Sequence, residues 1–560
     1  LTSVSAAALA IAGQAAAQTS PNNQSTVTQS NQFNDAIVNQ TGSGATSTVE
    51  QTGDGTNDAR KNEIRIDQAG TGAEAEVTQS GSDRNEAQVD QDGDSFASIV
   101  QAGTSQEAEI WQDGDRNEGY IDQAGNSNQV GNALNGGPNM VSGIVQTGDD
   151  NYADIDQNPA AYSSALVDQF GNNNEATVNQ EQDGGAGANR TTADIAQTGD
   201  FNTALVTQNT ELNNASNDTF LTQTGNSNDA TVTQSGPSNL ATVNQLANSG
   251  IVTVTQEAKA GGTATVNQTA DDNTATVSQT SASALATVNQ SGTGNETTLS
   301  QGRSASNEFQ TNSQQALVTQ SGDDNEVIAS QSGSLGDLNI DQSGDRNLAN
   351  VNQSGFDNSA GDDGGMVGIA QSGNDNDAFV VQAGQLSDAF VDQIGDFNTA
   401  TINQAVNNAP NPAGGPDPRV ADAQIVQGGN NNTGTINQTG GSNERSARLM
   451  SASLTQDGNS NTSTINQTND QVDSAFSSNS ATVSQSGNTN TSTLSQNGVN
   501  NIANVIQSGD SNTSTITQLM SDNMATVNQL GSGDVSTITQ SGSNNTATVT
   551  QSGSNGTMPM

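Results

Sequence analysis

The chain has no cysteine and no histidine. The first absence excludes disulfides, thiol catalysis and thiolate metal sites. The second removes the side chain most often used for acid–base work and metal binding. Of the 560 residues only 30% are apolar and 3% aromatic. A broad hydrophobic core cannot be assembled from that supply. Any fold must arise by repetition, each unit burying a little and sharing the rest with its neighbours. Positive charge is scarce as well: 12 Lys+Arg against 60 Asp+Glu leave a formal net charge of -48. Such a surface repels phosphates and anionic lipid, which argues against nucleic acid and membrane partners. No P-loop or dinucleotide fingerprint occurs, and no cofactor is implied.

Long apolar runs are confined to the start. Leu1 to Ala17 reads LTSVSAAALAIAGQAAA, an apolar stretch ending in small residues before Gln18. It has the look of the later part of a secretory signal peptide, without its basic beginning. No later segment approaches the ~20 apolar residues needed to span a membrane. The expectation is an exported, extracellular product with no membrane insertion.

What fills the chain is one short phrase. Good copies are Asn545-Thr546-Ala547-Thr548-Val549-Thr550-Gln551 and Asn239-Leu240-Ala241-Thr242-Val243-Asn244-Gln245. The general form is N-x-A-x-V/I-x-Q, followed by x-G-x-x before the next Asn. About 42 such Gln positions run from Gln29 to Gln551, most of them 11 residues apart. Asn545, Ala547, Val549 and Gln551 alternate with Thr546, Thr548 and Thr550, so the two sets lie on opposite faces of a strand. The regular set is expected inside. The set that varies among Thr, Ser, Asn, Asp and Glu is expected to meet water. Gly two residues after Gln, as at Gly236 and Gly542, sits where a tight turn needs positive φ. Each unit is then a strand and a turn.

The spacing carries a second period. With the Gln positions numbered from Gln29, every even-to-odd step is 11 residues, except the step of 10 from Gln91 to Gln101. Every longer step is odd-to-even, among them Gln51 to Gln68, Gln123 to Gln146 and Gln404 to Gln427. Pro138, Pro159, Pro237, Pro410, Pro412, Pro416 and Pro418 all fall in those variable arcs, as residues that cannot donate to a ladder should. The true repeat is therefore 22 residues: two strands joined by a fixed turn and followed by a variable one. The fold expected is an all-β solenoid with two strands per rung and about 21 rungs, roughly 100 Å long at ~4.8 Å per rung. Its bounds are 29–551, after a signal segment 1–17 and a short segment 18–28, and before a tail 552–560. Inward Gln and Asn would stack as amide ladders along the axis. Neither terminal segment reads as a cap, so the end rungs are expected to offer open strand edges.

The repeat resembles that of the curlins, which is similar to S-x5-Q-x-G-x-x-N-x-A-x3-Q. Ser387, Gln393, Gly395, Asn398, Ala400 and Gln404 match all of it, and Gln342, Gly344, Asn347, Ala349 and Gln353 match all but the leading Ser. The resemblance spans residues 24 to 551 and identifies an unusually long multi-repeat member. It implies a secreted subunit that self-associates into functional amyloid (curli) fibres, pilus-like in role, for cell adhesion and biofilm. It also implies that Gln342, Asn347, Gln353, Gln393, Asn398 and Gln404 form structural ladders and that Gly344 and Gly395 form turns.

Three other readings compete. An enzyme would have to work with carboxylates such as Asp122, Asp156 and Asp168, which lie on the outward face. An ice-binding solenoid would use outward Thr pairs such as Thr548/Thr550, Thr537/Thr539 and Thr253/Thr255, although Asp67, Glu50 and Asn528 interrupt such columns. A monomeric adhesin or matrix rod would present arcs such as Ala405 to Gln424 for surface or matrix contacts. The loops lack the repeated GGxGxD of calcium-binding solenoids, and no metal site is expected.

Overall fold

A computed structural model describes residues 22–53, 61–131, 143–182, 191–210, 216–257, 261–302, 314–355, 358–360, 368–406, 421–440, 447–469 and 476–553. The regular structure in it is strand, 44 segments in all, and no helix occurs among the described residues. The signal-like segment 1–17 and most of the arc 405–424 lie outside them. The chain divides into two compact units, Leu1–Gly261 and Gly262–Met560, each built by the same rule.

Alternation sets the local structure. In Leu348–Gln353 the side chains of Ala349, Val351 and Gln353 are buried, while Leu348, Asn350 and Asn352 face outward. Two such strands make a rung. Asp337–Gln342 and Leu348–Gln353 are joined by the fixed turn yet belong to different sheets. The first pairs in parallel with Gln315–Gln320 on one side and with Ile369–Ser372 on the other, placing Gln320, Gln342 and Gln371 in one row. The second pairs with Glu326–Gln331 and Asp377–Gln382, aligning Gln331, Gln353 and Gln382. The first unit repeats the scheme, with Gln51, Gln79 and Gln101 in one row and Gln68, Gln91 and Gln112 in the other. Each unit is thus a β-solenoid of two parallel sheets with two strands per rung. The strands that lead into the variable arc form the first sheet, and those that lead into the fixed turn form the second.

Pairing begins before the expected boundary at residue 29, because Gln24–Gln29 is itself a strand in register with Thr46–Gln51. Insertions leave the register intact. The rung that carries the insertion at 132–142 is split into Gln129–Val130 and Ile144–Thr147, and Gln146 still falls between Gln112 and Gln169. Pro159 lies inside Tyr152–Ala161, where pairing with Glu118–Asn126 is interrupted between Gln157 and Ala160. Its missing N–H therefore costs no ladder bond. Pro237 lies in a turn, and Pro138, Pro410, Pro412, Pro416 and Pro418 lie outside the described residues.

The interior is thin, and small residues make it so. Gly434 occupies an Ala position in Thr433–Gly440, and a Cβ there would sit 3.1 Å from Ile425 Cγ2 and 2.8 Å from Leu454 Cδ2. The small residue of one sheet thus faces the branched residue of the other, so the A-x-V/I order lets two identical strands interlock when they run in opposite directions.

The turn glycine has a different cause from the one expected. Gly236 and Gly395 do have positive φ, 87° and 104°, but Gly344 and Gly542 lie outside the left-handed region. The shared requirement is the next rung. A Cβ on Gly344 would collide with the carbonyl of Gly373, and one on Gly395 with that of Gly429. The residue that turns left-handed in both turns is the one just before Asn: Arg346 at φ 56° and Phe397 at φ 58°. Gly344→Ala should therefore lose about 1–3 kcal/mol through a backbone clash. Gly542→Ala, whose Cβ would meet only Asn545 Nδ2 at 3.3 Å, should stay within about 0.5 kcal/mol of the parent. Urea unfolding of the two variants checks the contrast.

Candidate functional site: the amide columns

Within each unit inward Gln forms two continuous columns. In the first unit they run from Gln29 to Gln256 and from Gln40 to Gln245, each Nε2 donating to the Oε1 one rung on at 2.6–3.0 Å. In the second they run from Gln279 to Gln540 and from Gln268 to Gln551, at 2.8–3.0 Å.

The second amide hydrogen crosses the interior. Gln342 accepts from Gln320 at 3.0 Å, donates to Gln371 at 2.8 Å and reaches the Glu326 carbonyl at 3.2 Å. Gln353 donates to Gln382 at 2.8 Å and to the Asp337 carbonyl at 3.0 Å. Gln393 donates to Gln427 at 2.9 Å and to the Asp377 carbonyl at 3.0 Å. Gln404 donates to Gln438 at 2.9 Å and to the Asp388 carbonyl at 2.8 Å. One side chain thus links a rung to the next and one sheet to the other.

Asn closes the fixed turn in the same manner. The Asn347 backbone N–H donates to Asn325 Oδ1 at 2.9 Å, and its Nδ2 donates to the Gly373 carbonyl at 2.8 Å. Asn398 makes the equivalent bonds, to Asn376 Oδ1 at 3.0 Å and to the Gly429 carbonyl at 2.7 Å. The Gly and the Asn of the motif are therefore partners across rungs.

One ladder was missed in the sequence. The residue directly after the turn glycine is Asp or Asn in most fixed turns, and its Oδ1 accepts the backbone N–H of the equivalent residue one rung earlier. In the first unit Asp115, Asp149, Asn172, Asp200 and Asn226 form one such run. In the second, Asp345, Asn374, Asp396, Asn430, Asn459, Asn488 and Asp510 form another. The signal lay in G-[D/N]-x-N, written above only as G-x-x-N.

The candidate catalytic carboxylates do not converge. Asp122 and Asp156 are neighbours in the first sheet of the first unit, while Asp168 lies in the second sheet. All three are held above the usual carboxylate range, mainly by burial. Asp168, between Val145 and Ala196 in adjacent strands and repelled by Asp194, is pushed up to about 6. No group of three or more metal-ligating side chains occurs among the described residues, and no helix there is long and apolar enough to cross a membrane.

Six segments of the chain match the curlin associated repeat: 225–257, 344–384, 429–468, 477–509, 498–531 and 521–553. They fall in both units, and the last three overlap as successive rungs do. No curated protein matches the sequence.

Two measurements probe this interior. Gln393→Leu keeps the volume but leaves Gln427 Oε1 and the Asp377 carbonyl without that donor, and should cost about 2–4 kcal/mol. Asn350→Ala on the outer face should change stability by less than about 1 kcal/mol. Acidification supplies the second. The raised carboxyl of Asp168 disfavours folding when ionised, so its cost is present above about 6 and is lost as pH falls from there toward the unfolded value near ~4. The urea midpoint should rise across that window, and Asp168→Asn should remove part of the slope.

Proposed function

Because the chain belongs to the curlin repeat family, we propose that it is a secreted structural subunit whose solenoids add to one another rung on rung to form extracellular fibres for adhesion and biofilm matrix. The family is structural rather than enzymatic. The observation that carries the reading is the identity of successive rungs at the amide columns. Gln29 and Gln51 in the first unit, and Gln529 and Gln551 in the second, meet in the same way as the other pairs within each unit. Wherever such a stack ends, its last rung presents unpaired strand groups and half-satisfied amides, and the surface complementary to them is another rung. In the last described rung Gln551 Oε1 accepts from Gln529 and its Nε2 donates to the Val535 carbonyl.

Strand addition of this kind supplies main-chain hydrogen bonds at every position, and the Gln and Asn columns set the register. The acidic exterior keeps the unassembled subunit soluble. Purified chain freed of residues 1–17 should form unbranched filaments under the electron microscope, with a fibre-diffraction reflection at ~4.8 Å along the axis. Single short particles that never elongate would favour the monomeric adhesin instead.

A further inference from the structure

The outward residues are not uniformly varied. In the first unit, six of the ten strands of the first sheet carry outward carboxylates, at Glu50, Glu74, Glu118, Asp154, Glu175 and Asp229. In the second unit they continue at Glu296, Glu326 and Asp377 and then stop. The next six strands of that sheet contain Gln404, Gln438, Gln467, Gln496, Gln518 and Gln540 and pair in unbroken register. None of their outward side chains is charged.

Those outward side chains are also nearly identical. One column is Thr401, Thr435, Thr464, Thr493, Thr515 and Thr537. The column beside it is Thr in five strands and Val535, 65% exposed, in the sixth. A third begins Asn403, Asn437 and Asn466, joined by outward amide bonds at 2.9 and 2.8 Å. The solenoid interior needs Ala, Val or Ile and Gln to recur, but it places no such demand on the other face. β-propensity favours Thr in strands, yet it does not explain why carboxylates, tolerated on nine earlier strands of the same sheets, are absent from six in succession.

We propose that this threonine face is the surface on which a second copy of the chain packs laterally, sheet against sheet. The partner follows from charge. A chain of net charge -48 repels its own copies over a Debye length of ~8 Å, and facing sheets approach to ~10 Å. Carboxylates on a flat face act as gatekeepers against that approach. Here they are missing, and short β-branched residues in straight rows are left to interdigitate, as in the dry interfaces between paired sheets. The face is about 20 Å wide and about 29 Å tall from strand dimensions, so about 600 Å². A standard stable interface takes ~800 Å² per partner. Free subunits should therefore pair weakly. Filaments that repeat the patch along their length should pair firmly through multivalency.

This inference rests on fibre formation for its strongest readout, and the experiment separates the two. Thr435→Asp, Thr464→Asp and Thr493→Asp are combined in one variant. Its control carries the same added charge on the second sheet of the same rungs: Gln424→Asp, Ser453→Asp and Thr482→Asp. Parent and control filaments should lie side by side in pairs under the electron microscope, while the threonine-face variant should elongate normally as single filaments. Loss of pairing in both variants, or in neither, overturns the proposal. If no filaments form at all, the fibre reading fails. Sedimentation equilibrium at high concentration then decides pairing, with self-association expected for parent and control and a monomer for the variant. Ice shaping or thermal hysteresis by the parent, abolished only in the threonine-face variant, would replace the second copy with an ice lattice.

Discussion

A buried carboxamide has two donors and one acceptor to satisfy, and in this chain nearly every strand buries one. Leaving such a group unpaired costs about 1–3 kcal/mol, and the aliphatic supply is too thin to absorb that cost many times over. The group that meets it is an identical amide one rung away, at the spacing of a parallel sheet. That pairing dictates the rest. It requires Gln at the same point of every strand, strands that advance by one rung per repeat, and a turn that returns the chain to the same register each time.

The same constraint separates the two kinds of turn. The fixed turn is itself laddered. Asn347 bonds to Asn325 and to the Gly373 carbonyl, and Asp345 accepts from Asp323. An added residue there would break three columns at once. The variable arc can lengthen because the strands on either side of it are held by their own columns. Gln146 keeps its place between Gln112 and Gln169 although residues 132–142 are inserted ahead of it.

Much of this was legible because the constraint is periodic. Gln342 and Gln353 stood out by their recurrence, and recurrence at a spacing of two placed Ala349 and Val351 on the same buried face as Gln353. What escaped was of two kinds. The glycine at 344 was assigned to a local torsion because a single repeat contains no neighbour. The obstacle is the Gly373 backbone, 29 residues away in sequence by their numbering, and only the stack brings it close. The Asp/Asn column at Asp345, Asn374 and Asp396 was hidden by its chemistry: two residue types serve one role because only the shared Oδ1 accepts the bond. The outward residues vary for the opposite reason, since folding leaves most of them unconstrained.

That freedom turns an interior rule into a division of labour between faces. Inside, identity from rung to rung is compulsory and therefore says nothing about partners. Outside, identity is optional, so its presence or absence records pressures other than folding. Acidic side chains scattered over many strands keep like chains apart at modest cost. Asp168 and Asp194 sit high in pKa because their neighbours are partly apolar, so each such charge weakens the fold slightly when ionised. A sequence that accepts that cost on nine earlier strands of the first sheets and then abandons it on six consecutive strands has stopped opposing contact there. Growth along the axis follows from amides that must stack. Contact across the axis is set by where the outer face ceases to repel its own kind.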